Sequence, residues 1–207
     1  MAFVAAVIVG NWTLAFVSFV TLVLATAPVF AAQYADIIVP RSFLAAVVFF
    51  VFGTLFLGEV FDFYERFWWW DILLHGGSAV GFGLIGFIFV FMMFQGDRFA
   101  APHGAVAFFA FCFAVMIGAI WEVFEFAMDQ LFGLTMQKSG LVDTMYDLIV
   151  DVCGATLGAL YGYGFLKGRD KYGLPSVIAE FVARNPRLFG KAHKTPRTHQ
   201  SNDPEAK

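Results

Sequence analysis

The stretch FWWWDILLHGGSAVGFGLIGF, residues 67–87, joins three tryptophans to a long apolar run that carries Asp71 and His75 near its start. A transmembrane helix needs about 20 mostly apolar residues, and the run that begins at Asp71 is long enough. Asp71 and His75 are four residues apart, so they lie on one face of a helix. Ionisable side chains are costly in a bilayer and usually face the protein interior. The stretch therefore predicts a membrane helix with a polar site at its start.

The composition of the whole chain is that of an integral membrane protein. Of the 207 residues, 60% are hydrophobic and 14% are charged, against about 25% charged in an ordinary soluble domain. The two cysteines, Cys112 and Cys153, lie in apolar segments without metal-type spacing, so we interpret them as packing residues. Membrane lipids are the predicted partners, no motif indicates nucleic acid, and the oligomeric state stays open.

Five apolar segments predict an all-α fold, a polytopic transmembrane helix bundle of about five spans. The segments cover residues 11–32, 43–57, 71–94, 104–128 and 143–166. The first nine residues, MAFVAAVIV, either lengthen the first helix or lie on the bilayer surface. This pattern predicts a transmembrane domain over residues 1–166 and a separate tail over residues 167–207.

Positive charge is concentrated in the tail, which predicts the orientation of the chain. Each short loop holds one basic residue, and these are Arg41, Arg66, Arg98 and Lys138. The tail holds nine, namely Lys167, Arg169, Lys171, Arg184, Arg187, Lys191, Lys194, Arg197 and Lys207. Because positively charged segments stay in the cytoplasm, we predict a cytoplasmic C-terminus, and five spans then put the N-terminus outside.

The tail itself is predicted to have two parts. Residues 176–185, SVIAEFVARN, group their apolar side chains on one helical side, which is typical of a short helix lying on the inner leaflet. From Gly190 onward the chain is polar, and this composition predicts disorder.

Ionisable residues form three sets at helical spacing within the apolar segments. The sets are Asp71 with His75 in the third span, Glu122 with Glu125 and Asp129 at the end of the fourth, and Asp143, Asp147 and Asp151 at the start of the fifth. The third span begins on the side of the membrane where the fourth ends and the fifth begins. All three sets are therefore predicted to meet at one leaflet, which is the outer one by the charge distribution.

Crowded carboxylates cannot all stay ionised unless a cation compensates them. We therefore predict either a bound divalent metal or a proton-sharing, ion-paired structural network. The predicted metal ligands are His75, Glu122, Glu125, Asp147 and Asp151. Oxygen ligands with one imidazole suit Mg, Mn, Zn or Fe, and the sequence does not choose among them. Asp71 and Asp143 are the predicted catalytic acid–base residues, although either also suits a helix N-cap.

Glycines at regular spacing indicate close helix packing beside these sets. Gly154, Gly158 and Gly162 recur every four residues in the fifth span. Small residues at this spacing let the backbones of two membrane helices approach closely. We therefore expect the fifth span to contact another helix along this face.

Three segments carry a resemblance to known families. GEVFDFYERFWWWDILLH, GAIWEVFEF and GLVDTMYDLIVDVCGA together resemble the YjdF-type family of predicted bacterial inner-membrane proteins. More distantly, the order of Asp71 with His75, then Glu, then Asp147, Asp151 and Gly154 is similar to the VanZ-like family linked to teicoplanin resistance. Ile72 and Asp151 stand where VanZ-like proteins usually have Lys and Asn. The resemblance implies a fold and an inner-membrane location, but no reaction.

Two classes of function are compatible with this pattern. The first is a metal-assisted hydrolase or transferase that acts on a lipid-linked or amphiphilic substrate at the outer leaflet. Its cation would polarise a phosphoryl or carbonyl oxygen or activate water, with Asp71 or Asp143 as general base. The alternative is a non-catalytic membrane protein whose carboxylates bind an ion, a lipid headgroup or an antibiotic, or hold the bundle together. Proton-coupled transport is disfavoured because the five spans show no evident inverted repeat.

Overall fold

The computed structural model describes residues 2–94 and 101–189, which form helices and loops with no β-strand among them. The helices are α1 Ala2–Val9, α2 Trp12–Tyr34, α3 Arg41–Val51, α4 Phe63–Arg66, α5 Trp70–Met93, α6 His103–Phe132, α7 Leu141–Leu166 and α8 Leu174–Arg184. A π-helix, Phe52–Val60, continues α3. Five helices are long and apolar enough to span a membrane, counting Arg41–Val60 as one. The predicted all-α bundle is confirmed, with bounds that shift by a few residues.

The first nine residues do not lengthen the first span. The chain turns at Gly10, whose φ is +74°, and the Asn11 side chain accepts a hydrogen bond from the Leu14 N–H at 3.0 Å as the cap of α2. The rings of Phe3 and Phe19 lie 6.0 Å apart, although they are seven or more residues from the turn on either side. Therefore α1 is a separate helix that folds back along α2.

The closest helix contact in the bundle is between α5 and α7. A Cβ atom built at Gly158 would lie 2.7 Å from the carbonyl oxygen of Val80 and 2.9 Å from the Cα of Gly83. One built at Gly154 would lie 2.6 Å from the carbonyl oxygen of Gly76. Only glycine permits this approach, in which backbone meets backbone. The predicted close packing of the fifth span is confirmed, and its partner is the third.

The π-helix gives the second span two recesses for aromatic rings. Gly53 faces the indole of Trp70, and a Cβ atom built at residue 53 would lie 3.4 Å from that ring. Gly58 faces the ring of Tyr64. Tyr64 belongs to the segment that links the π-helix to α5, and Trp70 is the first residue of α5. A widened helical turn with glycines thus anchors the approach to the start of α5.

At the other end of the bundle, the apolar face of α8 is buried against the long helices. Ile178, Phe181 and Val182 belong to one cluster with Phe87 and Val90 of α5. The predicted short helix is present, and its apolar side chains contact protein. The division at residue 167 stays a prediction, and the predicted disordered end, from residue 190 onward, lies outside the described residues.

The chain after α8 is also bonded to the loop between α2 and α3. The Asn185 amide donates to the Ile38 carbonyl at 2.8 Å and accepts from the Ile38 N–H at 2.7 Å. Arg187 forms an ion pair with Asp36 of the same loop. Both segments therefore lie at one end of the bundle, as an odd number of spans before the tail requires.

Replacing Gly158 by Ala is expected to lower the free energy of unfolding by about 1–3 kcal/mol, since the new methyl group overlaps the α5 backbone. Thermal unfolding of the purified protein in detergent measures this loss. Gly164→Ala is the matched control in the same helix, because its nearest neighbour, the Arg169 Cβ, is 4.0 Å away. Equal melting temperatures for the two variants would contradict the contact.

Candidate metal centre

The start of α5, the end of α6 and the start of α7 lie at the same end of the bundle. We call this end the mouth, and it is bordered by residues 61–69 and 133–140. The Lys138 Nζ lies 3.3 Å from a carboxylate oxygen of Glu65, so the two bordering segments touch. The two segments that border the three polar sets thus lie on one side of the bundle, as the order of the spans predicts.

His75 is the centre of the polar group below the mouth. Its Nε2 lies 3.9 Å from a carboxylate oxygen of Asp71, and its Nδ1 lies 3.4 Å from the Oδ1 of Asp151. Asp71, His75 and Asp147 each offer one ligand atom, and these three atoms lie within 4.8 Å of one another. Asp71, predicted as an acid–base residue, thus lies among the candidate ligands, and Asp151 contacts the other side of the imidazole.

The antiparallel contact of α6 with α7 brings Glu122 to the same depth as Asp147. Gly118 of α6 faces the Asp151 carboxylate, which lies where a Cβ atom at residue 118 would be. Four residues toward the mouth, about 6 Å along each axis, Glu122 and Asp147 are level. Their side chains are 4% and 3% exposed. Neither carboxylate oxygen of Glu122 has a hydrogen-bond partner in the part of the chain that the structure describes.

Glu125 has a different environment from Glu122. Its Oε1 accepts a hydrogen bond from the indole N–H of Trp121 at 2.8 Å, on a more exposed part of α6. Within residues 2–94 and 101–189 it forms no ion pair with His75. The structure therefore groups His75 with Asp71, Asp147 and Asp151, and Glu125 as a metal ligand stays a prediction.

Two aspartates of the predicted sets hold the loop between α6 and α7. Asp129 accepts hydrogen bonds from the backbone N–H groups of Met136 and Gln137, at 2.7 and 2.9 Å. Asp143 accepts one from the backbone N–H of Lys138 at 3.0 Å. Carboxylates that bind backbone N–H groups fix a loop conformation. Asp143 is the third residue of α7, whose N-cap is Gly140, so Asp143 holds the loop and does not cap the helix. Its role as general base stays a prediction.

Tyr64 and Lys138 lie over the mouth. The Lys138 ammonium is 4.9 Å from the centre of the Tyr64 ring, a cation–π distance. Burial raises the pKa of the Tyr64 phenol above its ordinary value, and the neighbouring Asp71 and Glu59 carboxylates raise it further. Tyr64 is therefore a neutral hydroxyl at physiological pH, and Lys138 brings positive charge to a strongly acidic surface.

Two residues that matter here are absent from the candidates predicted from the sequence. Gly118 makes room for Asp151, and Trp121 donates a hydrogen bond to Glu125. The signal for Gly118 is its position four residues before Glu122, on the same face of α6. A small residue on the polar face of a membrane helix indicates that a neighbouring side chain fills the space.

Comparisons with known proteins agree with this architecture. Residues 1–168 match the family described as "Predicted membrane protein (DUF2238)". A protein of Thermotoga maritima described as "Uncharacterized protein" is 32% identical over 119 residues, which are 58% of this chain and 60% of that protein. No solved structure matches the chain. The resemblances to the YjdF-type and VanZ-like families stay predictions.

Replacing Asp129 by Ala is expected to lower the free energy of unfolding by about 1–3 kcal/mol, because two backbone N–H groups lose their acceptor. Thermal unfolding in detergent is the measurement. Asp170→Ala is the control, since Asp170 accepts no hydrogen bond from any residue that the structure describes. If both variants melt alike, the loop does not depend on Asp129.

Proposed function

We propose that this chain, which belongs to the DUF2238 family of predicted membrane proteins, binds one divalent cation at the mouth. Asp71, His75 and Asp147 are the ligands, and Glu122 lies beside them. The bound cation serves the hydrolysis or transfer of a group on a lipid-linked or amphiphilic substrate. Mg, Mn, Zn and Fe all suit a ligand set of two carboxylates and one imidazole.

The observation that carries this proposal is that the Glu122 carboxylate is buried and neither of its oxygens has a hydrogen-bond partner among the described residues. A buried carboxylate with both oxygens unpartnered is strongly destabilising, and the nearby Asp147 carboxylate adds repulsion. One imidazole cannot compensate Asp71, Asp147, Asp151 and Glu122 together. A divalent cation with its bound water compensates the ligands and gives Glu122 a hydrogen-bond donor.

This arrangement supports a catalytic use of the cation. Three protein ligands leave coordination positions for water and substrate, and a metal in such a site activates water or polarises a phosphoryl or carbonyl oxygen. Asp71 is a ligand in this proposal and Asp143 holds a loop. Glu122, whose oxygens are unpartnered in the described structure, is therefore the residue that accepts the proton from water.

The position of the mouth supports an amphiphilic substrate. Trp68, 82% exposed, and Trp69 border the mouth, and tryptophans are enriched at the boundary between lipid and water. A substrate there has an apolar part in the lipid and a polar group at the level of His75. The fold brings the candidate ligands to this boundary because each set lies at a helix end.

A non-catalytic role is the second candidate, and the covered mouth favours it. Lys138 links the two bordering segments, and the His75 side chain is only 11% exposed. In this alternative the cation holds α5, α6 and α7 together and exchanges slowly. Catalysis instead requires that the segments separate to admit substrate.

The protein as purified is expected to contain one equivalent of a divalent metal, which elemental analysis of the detergent-solubilised protein measures. Asp147→Asn is expected to lose the metal and to melt lower, because the amide removes one charged ligand. Chelator should reproduce both effects in the wild type. Asp170→Asn is the control and should keep the metal and the melting temperature.

The same experiments separate the alternatives. A wild type without metal, unaffected by added cation or chelator, would refute the metal site. If metal is bound, chelator-sensitive hydrolysis of amphiphilic phosphoesters or esters in mixed micelles supports the enzyme, and Glu122→Gln should abolish it while the metal is retained. Bound metal without any such hydrolysis favours the structural role.

We also propose that the protein lies in the bacterial inner membrane with the mouth at the outer leaflet, because the nine basic residues of the tail favour the cytoplasm. A fluorescent protein fused after Lys207 is expected to fluoresce, and alkaline phosphatase fused there is expected to be inactive. A fusion within residues 133–140 should give the opposite pair of results. Phosphatase activity from the C-terminal fusion would contradict this orientation.

A further inference from the structure

Asp151 and Asp71 lie on opposite sides of the His75 imidazole. Its Oδ1 lies 3.4 Å from Nδ1, whereas Asp71 lies 3.9 Å from Nε2. Asp151 is also the most buried of the group, with 2% of its surface exposed. It lies one turn deeper than Asp147, beyond the atoms that form the candidate ligand set.

We propose that Asp151 and Gly118 are positioning residues for the cation site: Asp151 holds His75 with Nε2 toward the cation, and Gly118 makes room for Asp151. This inference rests on the proposed cation. Asp151 was predicted to be a ligand itself, and the geometry assigns it to the opposite nitrogen of the ring.

The chemistry of imidazole makes this contact consequential. A neutral imidazole carries one N–H and one lone pair, and the nitrogen that binds a metal must supply the lone pair. A carboxylate beside Nδ1 keeps the proton there, which leaves the lone pair on Nε2 and makes it a better donor. Carboxylate, histidine and metal commonly occur in this order in proteins.

The space for Asp151 comes from the neighbouring helix. A Cβ atom at residue 118 would overlap the Asp151 Oδ2 and lie 2.8 Å from its Cγ. Gly118 is therefore required by the carboxylate that fills the position of the missing side chain. By contrast, no atom of the described residues lies within 4 Å of the Cβ position of Gly104 in the same helix.

A second observation is that the Asp151 carboxylate is only partly satisfied by hydrogen bonds. Its Oδ2 is buried without a hydrogen-bond partner among residues 2–94 and 101–189. A buried carboxylate with one free oxygen destabilises a bundle unless a positively charged group is close. The His75 imidazole is such a group when it binds a cation or is protonated.

The test measures Co²⁺ binding by calorimetry and visible absorption, after the full-length protein in detergent is stripped with chelator. Asp151→Ala is expected to weaken binding about tenfold to a hundredfold with the stoichiometry unchanged, as for the loss of other carboxylates that orient a ligand histidine. Asp151→Asn should bind better than Asp151→Ala, since its amide oxygen still accepts the Nδ1 proton. The Co²⁺ absorption bands should shift in Asp151→Ala.

Gly118→Ala should also weaken Co²⁺ binding, although it changes no ligand, whereas Gly104→Ala should bind like the wild type. Thermal unfolding of the metal-free variants shows whether each one is folded. If Gly118→Ala does not fold, Asp151→Asn still tests the proposal, because it keeps the volume of the side chain. Wild-type affinity in Asp151→Ala overturns the proposal, and so does a loss of stoichiometry, which would make Asp151 a ligand. A wild type that binds no Co²⁺ overturns the proposed function and this inference with it.

Discussion

The backbone contact between α5 and α7 determines the geometry of the site. At Gly158 the two helices meet backbone to backbone, and Gly154 lies against the carbonyl oxygen of Gly76 and the Cβ of Ala79. His75 precedes Gly76, and Asp151 lies one turn before Gly154. The distance between the imidazole and the Asp151 carboxylate therefore depends on how closely two glycine backbones approach. A methyl group at this contact separates the two helices and also moves the imidazole away from the Asp151 carboxylate, so stability and site geometry are coupled.

The third helix of the site is held by its loop. Asp129 and Asp143 bind backbone N–H groups on either side of the turn between α6 and α7, and this sets how far the two helices are offset. In the observed offset, Gly118 is opposite Asp151, and Glu122 is level with Asp147. An offset of one turn would put the Glu122 carboxylate against Asp151 and leave no space for either. Loop carboxylates that take no part in the candidate ligand set thus determine which carboxylates face each other.

Features that depend on sequence spacing were predictable, and those that depend on side-chain direction between helices were not. Apolar length predicts the five spans, the order of spans predicts one mouth, and the spacing of Gly154 and Gly158 predicts a close contact. Spacing places Glu122 and Glu125 on one face, but it does not show that the Trp121 indole donates its hydrogen bond to Glu125 and not to Glu122. Likewise it does not show on which side of the imidazole Asp151 lies. These details depend on how two helices are rotated and offset relative to each other, and the periodicity of one helix gives no information about that.

The charge distribution relates the orientation of the protein to its site. Basic residues are concentrated in the sequence after α7, which ends opposite the mouth, and such a concentration favours the cytoplasm. At the mouth, Arg66 pairs with Asp62, and Lys138 pairs with Glu65, so both loop cations already have a carboxylate partner. The deeper group around His75 consequently receives no lysine or arginine among the described residues. Without a lysine or arginine partner among the described residues, this group can be neutralised from solution, by protons or by a metal ion. The burial of Glu122 with no hydrogen-bond partner on either carboxylate oxygen in the described structure supports the metal ion, since a cation would compensate its charge.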